Sequence, residues 1–378
     1  MKRIFITAIY VVLAISVSTA QTKAPKVDYV DATTLTIAGK LSPTTNPYHR
    51  AEVSEYPSLK EGLSRTGKPL EATLLKMSTG IMVIFETDSP EIWVKPEYGF
   101  TYPFYSMPMS ATHGFNLYIE KDGKLCWAAS RGRTVDAQGE GKAKAESPLR
   151  LIANMEGTMK RCVLYLPLYS ELLSLKIGVA EGATIRAAKN PFRHNIAVFG
   201  SSFTHGATAS CAGQTWPAFF SRSTGLHICS YGMSAYSKLQ PVVGEIIGKA
   251  KPDALICDSF SNPNCEQIKS RIRPFINAVR KENPNMPIIF LRTIYRESRN
   301  FDRKADKSEQ ARIDCAAAVM KEVIKEYKGV YYLEIDNMTG TTGETSGDGV
   351  HPHSMGYYEW ANAVKKPIMK ILKKHNIK

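Results

Sequence analysis

The sequence predicts two domains, an all-β sandwich followed by an α/β domain with a mostly parallel sheet, and three observations carry that prediction. After about residue 190, five short β-branched, apolar runs alternate with five stretches of helical period, the rhythm of strands joined by crossover helices. Before it, short alternating or aromatic-rich runs are broken by Gly, Pro and Asp, the pattern of antiparallel strands. The length of 378 residues is about twice a common domain, so a change of character near AAKNPFRHN, residues 187–195, reads as a domain boundary.

Taken in order, the first twenty residues place Lys2 and Arg3 before an apolar stretch that ends in Ser18, Thr19 and Ala20. This is a cleavable secretory signal peptide in form, which predicts a periplasmic or secreted protein. No later apolar run is long enough to cross a bilayer, so stable membrane insertion is not expected. The sandwich is expected over residues 27–187, with strands in GIMVIFETD, EIWVKPEY, FNLYIEKDGKLCWAAS and CVLYLPLYSELLSLKIGVAEGA. The α/β domain is expected over residues 194–378. Its strands are NIAVFG, LHICSYG, DALICDSF, MPIIFLRTI and GVYYLEID, and its helices are TWPAFFSRST, KLQPVVGEIIGKA, CEQIKSRIRPFINAVRKE, KSEQARIDCAAAVMKEVIKEY and MGYYEWANAVKKPIMKILKKH.

Composition narrows the function classes. With 43% hydrophobic and 22% charged residues the chain is an ordinary globular protein. Its formal charge of +14 comes from scattered lysines, without an arginine-rich run interleaved with aromatics, so no nucleic-acid partner is expected. Seven cysteines without a C-x-x-C pair argue against a metal knuckle. In an exporting compartment at most one disulfide is expected, for example Cys257 with Cys265, the other thiols being buried in strands.

The chemistry concentrates in FGSSFTHGATASCAGQTW, residues 199–216, where three glycines, six hydroxyl side chains and a histidine follow an apolar strand. In an open α/β sheet, ligands bind beyond the carboxyl ends of the strands. A glycine there lets the backbone turn, and Ser202 then points its hydroxyl at the crevice.

FGSSFTHG resembles the nucleophile block of the SGNH/GDSL hydrolases, Gly-Asp-Ser-x-Thr-x-Gly, with Ser202 at the nucleophile and Ser201 where the commoner member has Asp. SYGMSAYSKLQ is similar to the second block, which places an oxyanion-facing glycine N–H at Gly232. DALICDSFSNPN resembles a third block of the form Asp-x-x-x-Asn, which runs from Asp258 and puts the oxyanion amide at Asn262, with Asn264 as the reserve. SGDGVHPHSMGY resembles the last block, Asp-x-x-His, at Asp348 and His351. HGFNLYIEKDGK looks like the Gly-x-Asp-Leu-Tyr segment of an N-terminal domain fused to one branch of that family, Asn116 standing where the name has Asp.

The resemblance implies a flavodoxin-like α/β fold and an exported serine esterase. Its implied triad is Ser202, His351 and Asp348, and its implied oxyanion hole the Ser202 and Gly232 N–H groups and Asn262. Neither cofactor nor metal is implied. The implied substrate is an acetyl or short-acyl ester, on a carbohydrate or another small molecule. The alternatives are a lipid or thioester hydrolase of the same fold, or an inactive glycan-binding protein.

Other residues compete for these roles. His353 is the second choice of base. His205 reads as a substrate contact or a structural hydrogen bond, and Glu334 and Asp336 as capping or surface groups. The aromatic run YGFTYPFYSMPM, residues 98–109, reads as core or interdomain packing before a sugar-stacking platform. Oligomeric state is not legible.

Overall fold

The computed structural model describes residues 26–132, 144–145 and 147–378, so the predicted signal peptide lies outside the described residues. The front domain is a sandwich of two antiparallel sheets. One runs Val27–Asp31, Ser170–Ala180, Ile92–Thr101 and Lys144–Ala145, with Leu149–Ile152 also on the third strand. The other runs Ile185–Ala187, Met82–Thr87, Lys160–Tyr165, Phe115–Lys121 and Lys124–Arg131, with Thr36–Ala38 beside the second strand.

The second sheet is covered on both faces. Val83, Phe85, Leu117 and Leu164 point into the sandwich, against Ile92, Val94, Leu172 and Ile177. Their neighbours Met82, Ile84, Tyr118, Val163 and Tyr165 join the core of the back domain instead. Successive side chains of a strand face opposite ways, so a sheet sandwiched between two cores needs apolar residues at every position. That is why MVIF at residues 82–85 does not alternate.

The back domain holds five parallel strands, β1 (Arg193–Gly200), β2 (Leu226–Gly232), β3 (Ala254–Asp258), β4 (Ile288–Leu291) and β5 (Val330–Leu333). Their order is β2-β1-β3-β4-β5, the flavodoxin-like arrangement, with the topological switch beside β1. The helices are α1 (Ser202–His205), α2 (Trp216–Thr224), α3 (Pro241–Lys249), α4 (Cys265–Arg280), α5 (Arg303–Glu326) and α6 (Ser354–Lys374). Local chemistry sets their ends: Thr215 caps α2, which stops at Gly225 (φ +74°), and an Asn264–Gln267 capping box opens α4.

β2 is an edge strand, and the front domain closes that edge. Arg50, 1% exposed, donates from Nη1 to the carbonyls of Ser230 (3.2 Å) and Gly232 (2.8 Å), from Nε to Met77 O (2.9 Å), and from Nη2 to Leu74 O. Among the described residues no carboxylate pairs with it. Burial lowers its pKa to about 9, so the guanidinium stays charged at neutral pH and its donors stay committed to backbone oxygens.

One expectation is corrected here. Cys265 is bonded to Cys315, 50 residues on, and this disulfide ties the start of α4 to the middle of α5. Cys257 is a buried free thiol inside β3. The two cysteines nearest in sequence were separated because a strand and the helix that follows it run in different layers.

Candidate active site

β1 ends at Gly200, and a Cβ there would lie 2.1 Å from Thr204 Oγ1, so only glycine fits. Ser201 caps α1: its Oγ accepts the Phe203 N–H (3.2 Å) and donates to Asp258 Oδ2 (3.2 Å). Thr204 Oγ1 donates to the same oxygen (3.0 Å). Asp258, fully buried at the end of β3, thereby grips both ends of the turn; burial pushes its carboxyl up to about 7, against those hydrogen bonds. Ser202 is the first residue of α1, and its N–H has no acceptor among the described residues, as expected of a helix's first turn.

Ser202 Oγ lies 2.8 Å from His351 Nε2, and His351 Nδ1 lies 2.8 Å from Asp348 Oδ2. Asp348 and His351 come from one tight loop. Asp348 Oδ1 accepts the Val350 (3.0 Å) and His351 (2.8 Å) N–H groups, and Gly349 takes φ +78°. Although burial works against it, hydrogen bonding from His351 holds the Asp348 carboxyl well below the usual carboxylate range. Thr208 Oγ1, donating to His351 O (2.9 Å) and Pro352 O (2.6 Å), fastens that loop to the nucleophile turn.

The competing residues are placed elsewhere. His353 caps α6, its Nδ1 accepting the Met355 N–H at 3.1 Å. Asn264 is spent on the α4 capping box. His205 is fully buried, stacked on Tyr169 (4.2 Å between ring centres) with Nε2 2.8 Å from Leu168 O. Asp336 pairs with Arg292 (2.8 Å) and Glu334 is exposed.

Gly232 is corrected. Met233 N–H donates inward to Gly200 O (2.8 Å), and successive N–H groups of a strand point to opposite edges. The Gly232 N–H therefore faces the outer edge, where it donates to Ser230 Oγ (3.3 Å), away from the crevice. The glycine is required for packing, since a Cβ would lie 2.3 Å from His205 N. The following turn, Met233 to Tyr236, holds Ala235 at φ +64°, with no acceptor for its N–H among the described residues. Asn262 stands beside this turn: its Oδ1 accepts the Ser237 N–H (3.3 Å), which leaves Nδ2 as the donating end.

The front domain supplies residues that the sequence reading left outside the site. Tyr105 Oη donates to Asp348 Oδ2 (2.9 Å), Ser106 Oγ lies 3.3 Å from the same oxygen, and Phe104 meets the His351 ring edge-on at 5.4 Å. The aromatic run does pack between domains, as Tyr102, Phe104 and Met107 show, while Tyr98 is buried in the sandwich core and Tyr105 is 83% exposed at the tip. Among the described residues no cluster of His, Cys, Asp and Glu is arranged to hold a metal ion.

The model of the GDSL-like lipase/acylhydrolase family matches residues 193–369, and that of the N-terminus of SGNH-hydrolase-type esterases matches residues 27–185. A crystal structure from Bacteroides ovatus, described as a GDSL-like lipase, is 33% identical over 92% of this chain and 98% of its own, with a TM-score of 0.84. The chain belongs to the GDSL-like lipase/acylhydrolase family. Two more distant members of the fold are a salicylyl-acyltransferase of a tetracycline biosynthetic pathway and a family two carbohydrate esterase of Cellvibrio japonicus. The first is 19% identical over 94% of this chain and 100% of its own, TM-score 0.65. The second is 10% identical over 93% and 99%, TM-score 0.57. At those identities the likeness is one of fold. No curated protein matches.

As a GDSL-family esterase the chain departs from the commoner nucleophile block at Ser201, and the structure shows what that does. The carboxylate missing from position 201 stands opposite it, at Asp258, and Ser201 Oγ bridges to it. A buried acid from β3 therefore borders the turn.

Proposed function

We propose that the protein is an exported serine esterase that removes acetyl or other short acyl groups from carbohydrates, through Ser202, His351 and Asp348. The observation that carries this is the unbroken chain of two 2.8 Å contacts from the serine oxygen to the buried carboxylate.

Ser202 Oγ attacks the ester carbonyl as His351 Nε2 takes its proton, and Asp348 holds the other ring N–H and steadies the imidazolium that forms. The carbonyl oxygen, now anionic, takes hydrogen bonds from the Ser202 and Ala235 N–H groups and from Asn262 Nδ2. Each such donor contributes roughly 3–4 kcal/mol in the transition state. His351 then passes its proton to the departing sugar hydroxylate, leaving an acyl-enzyme. Water, deprotonated by the same nitrogen, releases the acid and regenerates the serine.

Three features support the finer parts of the reading. An exposed tyrosine ring at the lip of the site suits a sugar face, and Tyr105 is such a ring. The carbohydrate esterase among the neighbours shares the fold. The Cys265–Cys315 disulfide suits an oxidising compartment, and no helix among the described residues is long and apolar enough to cross a membrane.

Acetate release from a panel of acetylated polysaccharides, with choline esters, acyl lipids and acyl thioesters as controls, tests the substrate class. Release from at least one polysaccharide, at a kcat/KM above that of every control, is the expected outcome. Turnover confined to lipids or thioesters would overturn the carbohydrate assignment and leave the triad standing.

A further inference from the structure

Among the described residues, the front domain meets Asp348 through two hydroxyls. Tyr105 Oη (2.9 Å) and Ser106 Oγ (3.3 Å) converge on Asp348 Oδ2, the oxygen that also faces His351 Nδ1 at 2.8 Å. The segment that carries them is seated firmly. Tyr102 N–H donates to Tyr169 O (2.9 Å), Met107 N–H to Phe104 O (3.0 Å), and Met107 is buried. Phe104 lies between, stacked on the Tyr105 ring (5.4 Å) and edge-on to His351 (5.4 Å).

We propose that Tyr105, assisted by Ser106, is a positioning residue of the triad: the front domain holds the Asp348 carboxylate through these hydroxyls and thereby sets the pH range in which His351 works as a base. The proposal rests on the triad reading above and goes beyond it, because it assigns the sandwich a part in catalysis.

The physical argument is one of shared charge. A carboxylate that accepts several hydrogen bonds is stabilised as the anion, and less of its negative charge is left to hold a proton on its neighbour. Asp348 accepts two backbone N–H groups on Oδ1 and faces three donors on Oδ2. The hydrogen bond also holds the Tyr105 phenol protonated, as a donor, by raising its pKa. Deleting that donor returns charge to Oδ2, strengthens the pull on the imidazolium, and makes His351 protonate at a higher pH. Since only the neutral ring can act as base, activity would then be lost sooner on acidification.

The other titratable groups facing this pair come from several elements. Tyr169 and Tyr357 are buried, and burial keeps their phenols neutral; burial also raises the pKa of Tyr102. Arg296 lies 5.3 Å from the centre of the Phe203 ring, which meets the His351 ring at 5.6 Å, and Arg296 also feels the charge of Asp258. Burial pushes the Asp258 carboxyl up to about 7, but its hydrogen bonds run to Ser201 and Thr204, not to the Tyr105 segment. Its contribution is common to the wild type and to variants at Tyr105.

The test is the pH profile of kcat and KM for p-nitrophenyl acetate in the wild type, Tyr105→Phe, Ser106→Ala and the double variant, with His351→Ala as the control for the triad itself. Tyr105→Phe keeps the ring and its stacking, and the residue's exposure makes misfolding no concern. The expected result is an acid-limb midpoint raised by about half a pH unit, KM little changed, and the alkaline plateau lowered by less than about threefold. Ser106→Ala should shift the midpoint less and the double variant more. A profile of Tyr105→Phe that superimposes on the wild type would overturn the proposal. So would a KM raised at every pH with the midpoint fixed, which would make the Tyr105 hydroxyl a substrate contact and not a holder of Asp348. An active His351→Ala would instead overturn the triad reading, whatever Tyr105→Phe does.

Discussion

Replacing His351 with alanine is expected to lower kcat/KM for small acetyl esters by about 10⁴-fold or more, because the serine then has no acceptor for its proton and the departing group no donor. The same change at His353, two residues along, should leave kcat/KM within about twofold. The two histidines are a matched pair for this purpose, because one loop carries both. His351 turns its ring to Ser202 at 2.8 Å, while His353 turns its ring to the Met355 N–H in the first turn of α6. Losing an N-cap costs about 1 kcal/mol of stability, so His353→Ala should show a lower melting temperature and retained turnover. Initial rates and thermal denaturation of both variants separate the roles; retained activity in His351→Ala with loss in His353→Ala would reassign the base.

Arg50→Ala is expected to cost about 3–5 kcal/mol of stability, among the larger effects any single substitution has. Four carbonyl oxygens lose a hydrogen bond at once, at Leu74, Met77, Ser230 and Gly232. Two of them lie on the free edge of β2, at the seam between the domains. Arg50→Lys should recover only part of the loss, since one ammonium cannot reach all four oxygens from a planar fork's position. Urea unfolding followed by circular dichroism measures this, and an Arg50→Ala midpoint equal to that of the wild type would show that the seam does not depend on the guanidinium.

Much of the molecule was legible in the sequence where the signal is local. All five strands of the back domain, the helices between them and the helix after the last strand follow from period and length, because each buries a face against the sheet. Asp348 and His351 are three positions apart, a separation one loop closes by itself. Gly232 shows where such reading stops. A glycine at a strand's end looks the same whether its N–H faces the crevice or the outer edge, and only the pairing register, with Met233 bonded to Gly200, decides between them. The disulfide partner and the Asp258 bridge to Ser201 depend likewise on which strand lies beside which. Tyr105 is the furthest from local legibility, because it comes from the other domain across a separation of 243 residues to reach Asp348. Its aromatic run carried a correct signal of interdomain packing, but not the one hydroxyl at its tip that meets a carboxylate.

The nucleophile is the point on which the whole account turns, and covalent trapping measures it directly. Treatment with a fluorophosphonate, followed by intact mass and peptide mapping, should give one phosphonyl adduct per chain, on Ser202, with hydrolysis lost in step and no adduct in Ser202→Ala. An enzyme that stays active and unlabelled, or an adduct on another residue while Ser202→Ala still turns over, would contradict the assignment.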